Sequence, residues 1–285
     1  MLIIIGSCIV FAAVVGGYLL EHGNLSVLFQ PVELLIIGGA AVGGFIIANP
    51  PTVIKLVLAA VAKMLRVKTF SKGDYIDILS LLNGMFYKIR QQGLVSIESD
   101  VDQPGESSLF KIYPKVTGNH RAINLITDTL RTVMSTTIAQ HELEALIDTE
   151  LEAHENELLV PSKCVNMVAD SLPGLGIVAA VLGVVLTMAK ITEPPEVLGN
   201  SIGAALVGTF LGVLLCYGFV GPMGRNLEHL AMDELEYLNV IKISLLAFIG
   251  GAAPKVAVEF GRRVIPAHVK PSFLEMEDAF RQSKK

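Results

Sequence analysis

The sequence predicts an all-α membrane protein with four transmembrane helices and a helical cytoplasmic domain. Three observations carry this expectation. Hydrophobic residues make up 52% of the chain and charged residues 17%, with a mean hydropathy of +0.58, a balance that soluble domains of this size do not sustain. Four uncharged apolar runs reach or approach the length that crosses a hydrocarbon core of about 30 Å. Alternating apolar and polar residues bounded by turn signals, the mark of strands, are almost absent.

The first run, Leu2–Leu20, carries no charge and is long enough to cross. It lacks a basic leading segment and a small-residue cleavage pattern, so it reads as a retained helix and not as a signal peptide. The second run, Leu34–Ala48, is the shortest and lies between Glu33 and Asn49. At about 1.5 Å per residue it falls short of the core, so its flanks must take part. It counts as a span because two crossings must pair to return the chain to the side it left.

A helical, more polar block follows. Tyr75–Gln92 places Ile76, Leu79, Leu82, Phe86 and Ile89 on one stripe, with Lys88 and Arg90 off it. Asp102-Gln-Pro-Gly105 is a turn, and Asn119–Ile138 and the strongly acidic Gln140–Leu158 read as further helices. The third run, Leu172–Ala189, and the fourth, Ile202–Val220, match the first closely in length. Ile243–Ala253 is apolar over too short a stretch to cross, which suits a buried or interfacial helix better than a span. The expected plan is a hairpin (1–48), a cytoplasmic helical domain (49–165), a second hairpin (166–222) and a cytoplasmic C-terminal helical tail (223–285).

Lysine and arginine set the orientation. Of the 22 in the chain, twelve lie in residues 49–171, nine in 221–285, one (Lys190) in 190–201 and none in 21–33. Positive residues near helix ends stay on the cytoplasmic side, so both large segments and both termini are expected there. The cluster Lys55, Lys63, Arg66, Lys68 and Lys72 just after the second span makes the strongest contribution. Glycines repeat within the spans, as Gly38, Gly39, Gly43 and Gly44 in the second and Gly199, Gly203, Gly208 and Gly212 around the fourth. Spacings of four let helix backbones approach closely, within the chain or between copies of it.

Several function classes are excluded. A net charge of −5 and a pI near 5.7 argue against nucleic-acid binding. Cys8, Cys164 and Cys216 have no paired spacing and read as small buried hydrophobes. No P-loop, dinucleotide fingerprint, nucleophile elbow or zinc-protease motif occurs, and the spacing of His141 and His154 is not that of metal ligands. No enzyme, cofactor or metal site is expected. A solute transporter would place polar residues or broken helices near mid-membrane, and these spans, as bounded above, hold no Asp, Glu, Lys, Arg or His. If the chain conducts ions, a partner helix must bring the acid. This chain offers the hydroxyls of Thr187, Thr209 and Tyr217, and backbone freed near Pro173 and Pro222.

The run Asp170-Ser-Leu-Pro173-Gly-Leu-Gly-Ile-Val-Ala-Ala180 and onward to Val185 resembles the third span of the MotA family of flagellar stator subunits. Val207-Gly-Thr209-Phe-Leu-Gly with Tyr217-Gly-Phe-Val-Gly-Pro222 resembles the fourth, and Gly16-Gly-Tyr-Leu with Gln30-Pro-Val-Glu-Leu-Leu-Ile-Ile-Gly-Gly39 the first hairpin. Ala257-Val-Glu-Phe-Gly-Arg262 with Lys270-Pro-Ser-Phe273 is similar to the family's C-terminal signature. The resemblance implies a homo-oligomer, five copies around a dimer of MotB-like partners in the inner membrane, whose single membrane helix supplies the ion-binding aspartate. It implies that Pro173 and Pro222 belong to ion-linked conformational coupling, and that Arg90 and Glu98 face charged residues of the rotor protein FliG. Sodium-driven relatives tend to carry a threonine where this chain has Ala180, whereas Thr209 is shared by both ion classes. Protons are therefore the expected ion, with sodium as the alternative. The rival within the same superfamily is an ExbB- or TolQ-like subunit, typically with three spans.

Overall fold

The computed structural model describes residues 2–64 and 69–282; Arg66 and Lys68 of the basic cluster lie outside the described residues. Every regular element among the described residues is helical, so the all-α expectation holds. Four described helices are long and apolar enough to cross a membrane, and the chain is a membrane protein. The fold divides into two compact units, Met1–Val67 with Leu158–Leu230, and Lys68–Glu157 with Ala231–Lys285.

The first unit opens with α1 (Leu2–Leu20), which stops where Glu21 and His22 enter and His22 turns to a positive φ of 59°. A single turn, α2 (Leu25–Leu28), is capped by the Asn24 side chain on the Ser26 amide. Next come α3 (Pro31–Ala48) and α4 (Pro51–Met64). In α3, proline at the first helical position lacks an amide that would have had no partner there. That start moves the second span back to Pro31, so the flank does take part and Glu33 falls inside the helix.

The third and fourth spans are parts of longer helices. The acidic helix and the third span form one 49-residue helix containing Pro161 and Pro173. With the short helices of the second unit numbered below, this is α10 (Gln140–Met188), followed by α11 (Pro195–Leu214). The fourth span continues as a π-helical turn, Leu215–Val220, and then as α12 (Gly221–Ile249). Pro222 therefore does not end the helix. It has no amide to give to the carbonyl four residues back, and the turn just before it is wide, with the Gly221 amide bonding the Cys216 carbonyl five residues back.

Where α10 crosses α11 the two backbones touch. A Cβ at Gly176 would stand 2.7 Å from the Gly208 carbonyl oxygen, and one at Gly212 would stand 2.5 Å from the Leu172 carbonyl oxygen. Glycine is required at both places because any side chain would push the helices apart. The glycines of α3 differ: Gly38, Gly39, Gly43 and Gly44 meet nothing within 4 Å. Ile37, Ala41, Ala169, Leu172, Ala179 and Cys216 fill one small core here, and Val57, Met64, Cys164, Val165 and Leu227 another. Large side chains such as Phe11, Leu35, Ile47 and Val185 stay exposed, an apolar surface suited to lipid or to other membrane helices.

The second unit is an ordinary packed core. Its helices are α5 (Lys72–Gln92), α6 (Glu98–Asp102), α7 (Ser108–Lys111), α8 (Pro114–Thr117), α9 (His120–Ser135), the first part of α10, most of α12, α13 (Pro254–Val264) and α14 (Phe273–Gln282). The stripe expected on α5 is real: Leu79, Leu82 and Phe86 are buried, and Phe86 stacks on Phe248 with centroids 4.2 Å apart. Phe70 stacks on Tyr237 with centroids 4.2 Å apart, and Tyr75 tilts against it at 5.6 Å. A capping box between Ser71 and Asp74 starts α5, and Asn119 caps α9 while its amide donates to Glu234 at 2.8 Å. The apolar stretch from Ile243 is the buried end of α12, stopped by Gly250 and by Gly251 at φ 97°.

Candidate functional site

The α10–α11 crossing gathers three of the four pathway residues expected from the sequence. Pro173 and Ala180 lie on α10 and Thr209 on α11. A Cβ at Gly176 would stand 3.3 Å from the Thr209 Cα, and one at Gly208 would stand 3.1 Å from the Ala180 amide nitrogen. Backbone proximity thus fixes Ala180 and Thr209 at neighbouring levels of one helix contact. Pro222 is not brought to that contact; it is exposed, directly after the π-helical turn. Of the other hydroxyls, Thr187 is buried and donates to the Gly183 carbonyl of its own helix at 2.8 Å, while Tyr217 is exposed.

One residue at this crossing was missed in the sequence. Glu33, in the first turn of α3, is only 9% exposed, and its Oε2 has no hydrogen-bond partner among the described residues. Oε2 would stand 2.8 Å from a Cβ at Gly208, and Oε1 3.5 Å from one at Gly183. The carboxyl therefore occupies space that two glycines leave open, one residue from Thr209. The expectation that no ionisable side chain enters a span is corrected here. A hydropathy run ends at the first charge by construction, so Glu33 became a border. Pro31, which sets the helix start two residues earlier, was the available signal.

In the second unit, Arg90 is exposed in the last turn of α5 and Glu98 is exposed at the start of α6. Gly93, at φ 83°, and the 3₁₀ turn Leu94–Ile97 connect them. The start of α6 is anchored by Asp100, which is buried and accepts from Lys88 at 2.6 Å and from the Ser107 hydroxyl at 2.6 Å. Both bonds hold a carboxylate that would otherwise be costly to bury. A cleft beside Glu98 is lined by Val95, Asp102, Arg131, Met134 and Ser135. Arg131 is engaged there by Asp102 at 3.2 Å and by Asp128 at 2.8 Å.

Other charged contacts hold this unit together. Burial would raise the Asp74 carboxyl, but hydrogen bonds from Lys115 and Ser71 outweigh it and hold it below its ordinary value. Hydrogen bonds from Arg262 and Arg263 do the same for Glu259 against its burial. The Ser272 amide, then Lys72 and the Ser272 hydroxyl, pull Glu275 down to about 2. His154 lies 3.5 Å from Glu150, and no cluster of metal-ligating side chains occurs among the described residues.

Residues 4–93 match the family described as Motility protein A N-terminal, and residues 120–239 match the MotA/TolQ/ExbB proton channel family. Among curated relatives, Motility protein A of Salmonella typhimurium is 42% identical over 99% of this chain and 95% of its own length. Motility protein A of Escherichia coli is 41% identical over 100% and 96%, and Chemotaxis protein LafT of Vibrio parahaemolyticus 36% over 96% of each. The solved MotAB structure from C. jejuni shares the fold with a TM-score of 0.77 at 17% identity, covering 95% of this chain and 98% of that one. The flagellar MotAB stator complex from Bacillus subtilis shares it with a TM-score of 0.73 at 22% identity, covering 93% and 96%. With such identity sustained over nearly its whole length, the chain belongs to the Motility protein A family.

Proposed function

We propose that this chain is a flagellar motor stator subunit, which with a MotB-like membrane partner forms an ion channel and converts ion flow into torque on the rotor. The observation that carries the reading is the near full-length identity to Motility protein A of two enteric bacteria. The geometry supports it. The α10–α11 crossing is tight and holds Ala180 and Thr209, while large apolar side chains of α1 and α3, such as Phe11, Leu35 and Ile47, are exposed. Such faces suit further copies and a partner helix that brings an aspartate, five copies around a partner dimer in the resemblance drawn above. The subunit itself catalyses no reaction and needs no cofactor.

The charge asymmetry supports the inner membrane, with both large polar segments and both termini in the cytoplasm. Exposed Arg90 and Glu98 then face the rotor protein FliG, where opposite charges set registry and encounter more than affinity. Ala180 offers no hydroxyl to a dehydrated cation, which favours protons over sodium. Each unit charge crossing the membrane draws about 2.3 kcal/mol per 100 mV of potential. The transport-energising relatives of the same superfamily are the weaker reading, because residues 4–93 match the motility-specific N-terminal family. The test is complementation: a strain lacking its own stator subunit should swim again when given this gene with its partner gene. Expression of both proteins without swimming would shift weight to the transport-energising reading.

A further inference from the structure

The chain carries its own buried acid, and its surroundings single it out. Glu33 is the one residue that combines a charged side chain, a place inside a membrane-crossing helix and an oxygen left without a partner among the described residues. Its carboxyl lies against Gly208 of α11 and Gly183 of α10, glycines that themselves pack against Ala179, Ala180 and Ala205. None of these is titratable, and no donor from α2, α10 or α11 reaches its Oε2 among the described residues. A buried carboxyl within a membrane-crossing helix is expensive to retain and marks an ion pathway or proton relay where it occurs. The amides of the first turn of α3 favour its charged form, while the apolar cradle favours the neutral one. A group that must both load and release a proton needs these opposing influences.

We infer that Glu33 is a proton-binding station of the membrane unit, at the loop end of the spans and against Gly208, through which protons pass toward the partner's acid. This rests on the channel reading proposed above. On uptake, a proton from water at the 21–30 side forms an O–H bond on the Glu33 carboxylate. On release that bond breaks, the proton moves to water or to the partner's carboxylate, and the Glu33 carboxylate is restored. No other bond changes.

The experiment compares the complete complex, this chain with its partner, as wild type, Glu33→Gln and Glu33→Asp in proteoliposomes. Glutamine keeps shape and polarity without titrating, and aspartate restores a carboxyl one methylene back. Assembly is read by the partner retained on purification, conduction by proton influx across a pH series, and protonation by the carbonyl-stretch band of a carboxylic acid in infrared difference spectra. We expect Glu33→Gln to assemble normally, to lose one titrating carboxyl band and to conduct slower by about tenfold or more. Glu33→Asp should recover most of the rate and the band. Wild-type conduction and an unchanged infrared spectrum in Glu33→Gln would overturn the inference, as would a slow Glu33→Gln complex that has lost no titrating band. If the unaltered complex conducts no protons, the channel reading itself fails and the inference falls with it.

Discussion

Glu33 and Gly208 meet across α3 and α11 so closely that the Glu33 Oε2 would stand 2.8 Å from a Cβ on residue 208. The absence of a side chain at 208 thus makes room for a carboxyl from another helix. The same glycine faces the Ala179 Cβ and the Ala180 amide at 3.1 Å, so one position sets both the carboxyl pocket and the approach of α10.

Gly212→Ala should therefore be among the most damaging small substitutions in the first unit. Its methyl meets the Leu172 carbonyl oxygen at 2.5 Å, which is backbone and has no rotamer to change. Overpacking of this kind costs about 1–3 kcal/mol. Gly39→Ala, with nothing within 4 Å, should leave the single chain as stable as before. Thermal unfolding of both variants in detergent checks the contrast; equal melting would contradict the crossing.

Pro222 follows the π-helical turn, whose wide bond from Gly221 to Cys216 precedes a residue without an amide. Pro222→Ala restores that amide and allows an ordinary α-turn. The expected result is a stably inserted protein that delivers little torque, measured as membrane content against tethered-cell rotation. Pro173→Ala should behave likewise. Loss of either protein from the membrane would point to a folding role instead.

Arg90 and Glu98 are exposed. Reversing either charge should impair swimming without reducing stator assembly, and compensating reversals in the rotor protein should restore it. Asp100→Ala should act differently, because it leaves Lys88 and Ser107 without their shared acceptor beneath α6. A cost of about 1–3 kcal/mol is expected, read as lowered unfolding stability together with weaker swimming.

Acid should loosen the C-terminal helix through Glu275. Its carboxyl sits at about 2 when folded against an ordinary 4.5. The stabilisation is fully present above pH 4.5 and fades as pH falls from there toward about 2. Glu275→Gln should flatten the pH dependence of unfolding in that window, and an unchanged slope would contradict the contact with Ser272 and Lys72.

The spans were legible because hydropathy reports burial in lipid directly, and the α5 stripe because a helix repeats every 3.6 residues. Continuity was not legible. Pro161 and Pro173 look like helix breaks, yet α10 runs through both, because neighbouring groups and local adjustment can satisfy the freed carbonyls. The glycine pattern was equally plain in two spans, but spacing carries no information about the opposing surface, which is tight at Gly212 and open at Gly39. Thr187 and Thr209 are the same residue type in the same kind of segment, yet in the folded chain the first spends its hydroxyl on its own helix. Glu33 was hidden by its charge, which ended the apolar run that its own helix continues.

The most direct test of the central claim is rotation of tethered motors driven only by this chain and its partner, with external sodium and a protonophore varied. Rotation that ignores sodium and collapses with the protonophore is the predicted result. Rotation that follows the sodium concentration would keep the stator and contradict the reading of Ala180. No rotation, with both proteins assembled in the membrane, would contradict the stator itself.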